Sequence, residues 1–284
     1  IPEYRLPRDV LAREIENIKR YGVEIKTNSP IGKDRTINGL LQEGYKAVYI
    51  ATGAHKGMSL NIPGEGKFNN FHQCAPWLKD VNTGKITEVN GKVAVLGGGN
   101  AAIDAARGAV RLGADEVHIV YRRGREEMPA DPLEIEDALK EGVQLHTLAS
   151  PEKIIGENGV VKGVECIKNT LGEPDASGRR SPIPVEGSQF FIQADHIIAA
   201  IGQKIDKSFA LETDMEFSDR DLLIVNPDTL ETKKKGVFAG GDVVTGPKTV
   251  IEAIAQGKRA ATSISAYLQG QEMPSCQEPD ISAD

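Results

Sequence analysis

Cysteine is scarce in this 284-residue chain: there are three, Cys74, Cys166 and Cys276, and no two form a C-x-x-C pair. That excludes a redox disulfide of neighbouring cysteines and argues against an iron–sulfur cluster held by this segment, so a structural role is expected for all three. The five histidines, at 55, 72, 118, 146 and 196, occur singly and without metal-ligand spacing. No metal site is expected, and His118 and His146 read as packed histidines inside strands. Aromatic residues make up 5 % of the chain, and 34 Lys and Arg face 41 Asp and Glu, for a net charge of −7. With no basic cluster interleaved with aromatics, nucleic acid is excluded as the main partner. No apolar run approaches the ~20 residues of a membrane span and no charged-then-apolar signal opens the chain, which reads as cytoplasmic. The first methionine is Met58, and Ile1 to Pro7 reads as the middle of a loop, so a portion of something longer is expected.

Glycine, by contrast, is abundant, with 30 residues, and its placement is informative. Gly97-Gly98-Gly99-Asn100-Ala101-Ala102 follows the apolar run Val93 to Leu96 and opens an alanine-rich helical stretch reaching Leu112. A dinucleotide pyrophosphate needs this pattern. Gly97 permits the tight strand-to-helix turn, Gly99 lets backbone N–H groups approach phosphates, and Ala102 is the small residue where helix packs on strand. Gly113 closes the helix and Glu116 to Tyr121 reads as a second strand, which completes a βαβ unit. The competing reading is a glycine-rich turn with no ligand. At the end of that strand an NAD site places an acid for the ribose 2′-OH, whereas this chain has Tyr121-Arg122-Arg123. Guanidinium groups suit a 2′-phosphate, which favours NADP(H) over NAD(H); the bland alternative is a basic loop on an acidic surface.

The rest of the chain punctuates into α/β elements. A helix is expected over Pro7 to Tyr21, closed by Gly22, then a short strand over Val23 to Lys26, a small helix over Ile37 to Gln42 and a buried strand over Lys46 to Ile50. Ala51-Thr52-Gly53 ends that strand. Lys56 to Gly91 reads as a Gly/Pro/Asn-rich connector with a helical patch near Ala75 to Asp80, placing a domain boundary near Gly91. Asp131-Pro132-Leu133-Glu134 starts a helix with an N-cap and a proline at N1, and Val143 to Thr147 follows as a third strand. Gly156 to Gly159 turns a hairpin between Ile154-Ile155 and Val160 to Ile167, whereas polar Leu171 to Gly187 is expected as a surface loop. Strands resume at Phe190 to Gln193 and Asp195 to Ile201, and the latter runs into Gly202. A last strand leads into Gly240-Gly241-Asp242, and a long helix covers Thr249 to Leu268, with small residues Ala253, Gly257, Ala260 and Ala261 on one face. Expected domains are therefore 1–90, 91–200 and 201–284.

Ile1-Pro2-Glu3-Tyr4-Arg5-Leu6-Pro7, Ala51-Thr52-Gly53, the Gly97 motif with Tyr121-Arg122-Arg123, Met128-Pro129-Ala130, Val237 to Val243 and Thr249 to Gly257 occur in the order of a known family. Together they resemble the small subunit of NADPH-dependent glutamate synthase, whose relatives include a region of dihydropyrimidine dehydrogenase and flavoprotein subunits of electron-bifurcating transhydrogenases. The resemblance implies an α/β fold of two doubly wound nucleotide-binding domains, with the NADP domain inserted into the FAD domain. It implies that Gly97, Gly98, Gly99, Asn100, Ala101 and Ala102 hold the NADP pyrophosphate, that Arg122 and Arg123 face its 2′-phosphate and that Gly202 closes over the nucleotide. Ala51, Thr52, Gly53, Gly241, Asp242, Thr249 and Val250 are implied at FAD. The family's separate G-x-G-x-x-G for FAD does not occur here, so an incomplete FAD domain and N-terminal truncation are expected, with exposed apolar surface that a partner chain or homodimer would cover.

In that family hydride passes from NADPH to FAD and electrons leave through iron–sulfur centres to a partner subunit. No acid–base side chain is needed, so no catalytic residue is assigned, and Glu126 and Glu127 read as solvated loop acids. Three classes of function stay open: an NADPH-dependent flavin oxidoreductase, a NADP(H)-binding module without chemistry of its own, and a docking subunit with vestigial sites.

Overall fold

The computed structural model describes residues 1–32, 34–175 and 178–275; Cys276 lies outside them. In chain order the elements are α1 (Arg8–Arg20), α2 (Ile37–Gln42), β1 (Val48–Ile50), β2 (Lys56–Gly57), β3 (Phe71–Gln73), α3 (Cys74–Asn82), β4 (Lys92–Leu96), α4 (Asn100–Arg111) and β5 (Glu116–Val120). There follow α5 (Pro132–Lys140), β6 (Gln144–His146), β7 (Ala149–Glu157), β8 (Val160–Pro174), β9 (Arg180–Gln193), β10 (His196–Ala199), β11 (Gln203–Lys204), β12 (Val237–Ala239), α6 (Asp242–Thr245) and α7 (Val250–Leu268). The chain divides into two compact units, residues 1–23 with 57–202, and residues 24–56 with 203–284.

The first unit is built on a five-stranded parallel sheet of order β3-β10-β4-β5-β6. Side chains alternate across its central strands as the pleat requires. Val93, Val95, Val117 and Ile119 join the core under the helices, with Trp77, Ile103, Ala106 and Ile135. Ala94, Leu96 and Val120 face the other way, onto Ile154, Val161, Val164, Cys166 and Ile192 of the antiparallel sheet β7-β8-β9. A strand buried on both faces needs an unbroken apolar run, and Val93 to Leu96 supplies it at 0 % exposure. Each of its valines and its leucine contributes about 1.5–3 kcal/mol relative to leaving it in water.

Three expectations change. Residues 57–90 are no mere connector, because β3 joins the sheet beside β10 and Cys74, Trp77 and Val89 enter the core beneath α4. Leu171 to Gly187 is no loop among its described residues, for β8 and β9 pair through Leu171↔Pro182 and Pro174↔Arg180 as a long hairpin arm. Of its prolines, Pro182 and Pro184 lie on the outer strand of the sheet, where a missing N–H breaks no inner ladder, and Pro174 is the last residue of β8. Val23 to Lys26 forms no strand: Val23 and Ile25 are about half exposed and no described strand pairs with them. The opening residues 1–7 form turns without helix or strand, as expected of a loop, and they are anchored on α4. The Tyr4 ring lies under the guanidinium groups of Arg107 and Arg111, 4.6 and 4.2 Å from its centroid, and Arg5 donates to Asp104 at 2.8 Å.

The second unit has its own core, in which Ile37, Ile50, Phe209, Leu223, Val237 and Val243 pack together around the parallel pair β1-β12. No helix among the described residues is long and apolar enough to cross a membrane.

Candidate functional site

The loop after β4 stands where strand order reverses, with β10 on one side and β5 on the other. In open α/β sheets ligands bind at such a point, beyond the carboxyl ends of the strands. Gly97 has φ 150 and donates its N–H to Val120 O at 2.9 Å, while a Cβ there would stand 2.2 Å from Ala200 O. At Gly98 a Cβ would stand 2.4 Å from the Tyr121 ring. Both glycines are thus demanded by packing. Gly99 differs: its φ of −92 suits any residue, and a Cβ would meet only Pro129 Cγ at 3.8 Å.

Gly99 is also the N-cap of α4, and no side chain caps that helix. The N–H groups of Ala102 and Ile103 return to Gly99 O, which leaves those of Asn100 and Ala101 directed out of the helix end. With the partial positive charge of the helix N-terminus, this end of α4 suits an anion. Asn100 accepts at Oδ1 from the Asp131 N–H at 2.9 Å, and the Ala130 N–H donates to Gly98 O at 3.2 Å. The segment Met128 to Asp131 therefore lines the loop. Ala102 is fully buried against the sheet, the packing position its small side chain requires.

Past β5, the Tyr121 hydroxyl donates to Glu127 O at 2.7 Å and holds its ring beneath Gly98. Arg122 is exposed, and no ion pair reaches it among the described residues. Arg123 is not its twin. It is 3 % exposed, donates from Nε to Arg180 O at 2.7 Å and pairs with Asp175. Gly202, with φ 132, accepts from the Met58 N–H at 3.1 Å, and a Cβ there would meet Met58 Sδ at 2.9 Å.

In the second unit, β1 delivers Ala51 and Thr52, both exposed, and Gly53 with φ 68. β12 delivers Gly240, whose N–H donates to Ile50 O at 3.1 Å, and Gly241, with φ 74 and its N–H on Gln256 Oε1 at 2.6 Å. Asp242 accepts at Oδ1 from the Lys248 N–H at 3.2 Å. Thr249 caps α7 in a reciprocal box with Glu252, so its own N–H is taken by Glu252 Oε2 at 2.9 Å, while Val250 behind it is 53 % exposed. That box holds the Glu252 carboxyl down to about 2, chiefly through the Thr249 N–H and then its hydroxyl.

The sequence reading missed Tyr121, Ala130 and Gln256 as supports of these loops. Gln256 lies in the second turn of α7, between Ala253 and Gly257 of its small-residue face. Among the described residues no group of three or more His, Cys, Asp or Glu could hold a metal ion. His118 and His146 share a hydrogen-bond contact of 3.1 Å between Nδ1 and Nε2, and burial pushes both below the usual imidazole range.

Comparison with known proteins places this geometry. The chain is 49 % identical over 281 residues to the NADP(+)-dependent formate dehydrogenase subunit beta of Moorella thermoacetica, covering 98 % of this chain and 40 % of that protein. It is 34 % identical over 281 residues to the glutamate synthase [NADPH] small chain of Azospirillum brasilense, covering 94 % and 58 %. The chain thus spans about half the length of these curated relatives. Among solved structures, Mycobacterium tuberculosis FprA in complex with NADPH superposes with a TM-score of 0.72 at 18 % identity, over 93 % of this chain and 73 % of that one. This likeness establishes the fold of FAD/NAD(P) oxidoreductases. Since the family model described as pyridine nucleotide-disulphide oxidoreductase matches residues 8–257, the chain belongs to that family.

Proposed function

We propose that this chain holds NADP(H) on the loop between β4 and α4. Within a longer protein it would serve an oxidoreductase that passes hydride from NADPH to FAD and electrons to a partner subunit or iron–sulfur centre. Gly99 carries the reading. Packing explains Gly97 and Gly98, but among the described residues nothing fills or strains the place of a Gly99 side chain, at the uncapped N-terminus of α4. A pyrophosphate fits there, receiving the N–H groups of Asn100 and Ala101. The exposed Arg122 at the end of β5 is the cation that a 2′-phosphate would meet. Relatives named for NADP and NADPH, one of them called a beta subunit and another a small chain, support both the dinucleotide and the partner.

For FAD the residues fit in part. The turn Gly240-Gly241-Asp242 and the α7 N-terminus offer a carboxylate and open N–H groups, whereas a second Gly-x-Gly-x-x-Gly loop does not occur in the chain. Bound FAD would supply the hydride acceptor. The chain's own part is to bind and orient the dinucleotide, which requires no acid–base side chain. The second reading is a NADP(H)-binding module with no chemistry of its own.

The test is to titrate the purified chain and its full-length parent with NADPH and, in parallel, NADH, following dinucleotide fluorescence and visible absorbance. Binding of NADPH at least about tenfold tighter than NADH is expected for a charge-assisted contact to the 2′-phosphate. Flavin bands in the parent that bleach on NADPH addition would support the oxidoreductase. A colourless parent that still prefers NADPH would leave the binding module, and no binding of either dinucleotide would overturn the proposal.

A further inference from the structure

The two adjacent arginines occupy opposite environments, and the hairpin arm made by β8 and β9 causes the difference. Asn169 lies on β8 beside a register shift in the β8-β9 ladder, is 5 % exposed and reaches back to the arginine pair. Its Nδ2 donates to Arg122 O and to Ser150 Oγ, each at 2.8 Å, and its backbone N–H donates to Leu148 O at 2.7 Å. Leu148, in the left-handed region at φ 52, donates its own N–H to Arg123 O at 2.9 Å. Both arginine carbonyls are therefore fixed by one buried cluster.

The Arg123 side chain is fixed by the outer part of the same arm. Arg180 O, at the start of β9, accepts from Nε, and Asp175, just past the end of β8, takes the guanidinium. A charge this deeply buried stays paired, because freeing it would leave the guanidinium without its counter-charge inside the protein. Among the described residues Arg122 has no such tether; it is exposed and lies just past the carboxyl end of β5, one residue past the tyrosine that underlies the glycine loop.

Resting on the NADP(H) reading above, we propose that Arg122 alone of the two reads the 2′-phosphate. The β8-β9 arm, through Asn169 and the Arg123–Asp175 pair, is the positioning device that sets preference for NADPH over NADH. Asn169, Arg123 and Asp175 are positioning residues that never touch the nucleotide. A double-arginine clamp makes different demands: Arg123 would leave its pair on binding, and weakening that pair would help.

The experiment measures dissociation constants for NADPH and NADH by dinucleotide fluorescence on the full chain and on Arg122→Ala, Asn169→Ala, Asn169→Gln and Asp175→Asn. Arg122→Ala is expected to weaken NADPH about 10- to 100-fold and leave NADH unchanged. Asn169→Ala should weaken NADPH several-fold with NADH unmoved, and Asn169→Gln, which keeps an amide donor, should recover part of the loss. Asp175→Asn should weaken NADPH, since it loosens the arm; tighter NADPH binding by this variant would identify Arg123 as a phosphate ligand and overturn the proposal. Equal losses for both dinucleotides in Asn169→Ala would overturn it too, by making the arm merely structural. A parent chain that binds neither dinucleotide defeats the NADP(H) reading itself, whereas a parent that prefers NADPH with any of these reversals defeats only the assignment to Arg122 and the arm.

Discussion

Gly98 has no room for a side chain. An added Cβ would overlap the Tyr121 ring, itself tied through its hydroxyl to Glu127 O. Neither ring nor loop can yield without moving the phosphate-binding turn, so Gly98→Ala is expected to cost about 1–3 kcal/mol of stability and to weaken NADPH. Thermal unfolding and a NADPH titration check this; an unchanged midpoint with unchanged affinity would show that the turn relaxes freely. The thiols offer a second test at this scale. Burial pushes Cys74 and Cys166 up to about 12, and Cys74 donates its S–H to Ala101 O at 3.3 Å. Raised thiols favour the fold fully below their ordinary value of 9.0, and that contribution is lost as pH climbs from there toward 12. Native protein at pH 8 should therefore resist iodoacetamide at both residues, with labelling by mass spectrometry appearing only above pH 9 or after unfolding. The glycine loop was legible because its logic is local, a run of residues joining one strand to one helix. Arg123 was not, since the partner that withdraws it stands 52 residues on, in a stretch whose polar, Pro- and Gly-rich composition reads as loop.

Elements carry the next consequences. α7 begins with a full capping box, in which Thr249 Oγ1 accepts from the Glu252 N–H at 3.3 Å and Glu252 answers the Thr249 N–H. Thr249→Ala should cost about 1 kcal/mol, read as a lower unfolding midpoint. Because Glu252 is held down to about 2 from 4.5, its share is complete above pH 4.5 and fades as the pH falls toward 2. The penalty of Thr249→Ala should accordingly shrink over that window; a constant penalty would assign it to the hydroxyl alone. In the first unit, Arg107 is buried among Glu134, Glu141 and the Tyr4 ring, and its Nη2 lies 2.8 Å from Glu141 Oε1. Arg107→Ala removes these pairs and the contact with Tyr4, but Glu141 keeps Arg111 at 2.7 Å and Glu134 keeps Arg5 at 3.6 Å, so it should cost about 1.5–3 kcal/mol rather than unfold the unit. Helices and strands with strong periodicity or caps, such as α4, α5 and α7, could be read from sequence. The inner part of the arm, at 160–167 and 190–193, was read as strand, but its outer part was not, because the pairing of 169–174 with 180–184 is a long-range fact that overrides the local preference of proline and glycine for loops.

At the scale of the whole molecule the governing fact is that there are two cores. The first unit buries its sheet between three helices on one face and the β7-β8-β9 sheet on the other, and the second packs its own apolar set around β1 and β12. Residues 57–202 interrupt the second unit, which is made from 24–56 and 203–284. The family resemblance implied an insertion and the composition set a boundary near Gly91, since the packing of Trp77 and Cys74 under α4 is visible only in three dimensions. Units with separate cores need not unfold together, so a single free energy of unfolding is not expected to describe this chain. Dinucleotide binding discriminates between them. NADPH at 100 times its dissociation constant stabilises whatever contains its site by about 2.7 kcal/mol and leaves the rest untouched. If the site is the β4-α4 loop, hydrogen exchange should slow across residues 92–123 and the contacting strands of the first unit, while peptides from 203–275 keep their rates. In calorimetry the same experiment should move one transition upward and leave the other in place. Equal protection of both units, or a single transition that shifts as a whole, would show that they are energetically one body and that ligand binding on the first is felt throughout the second.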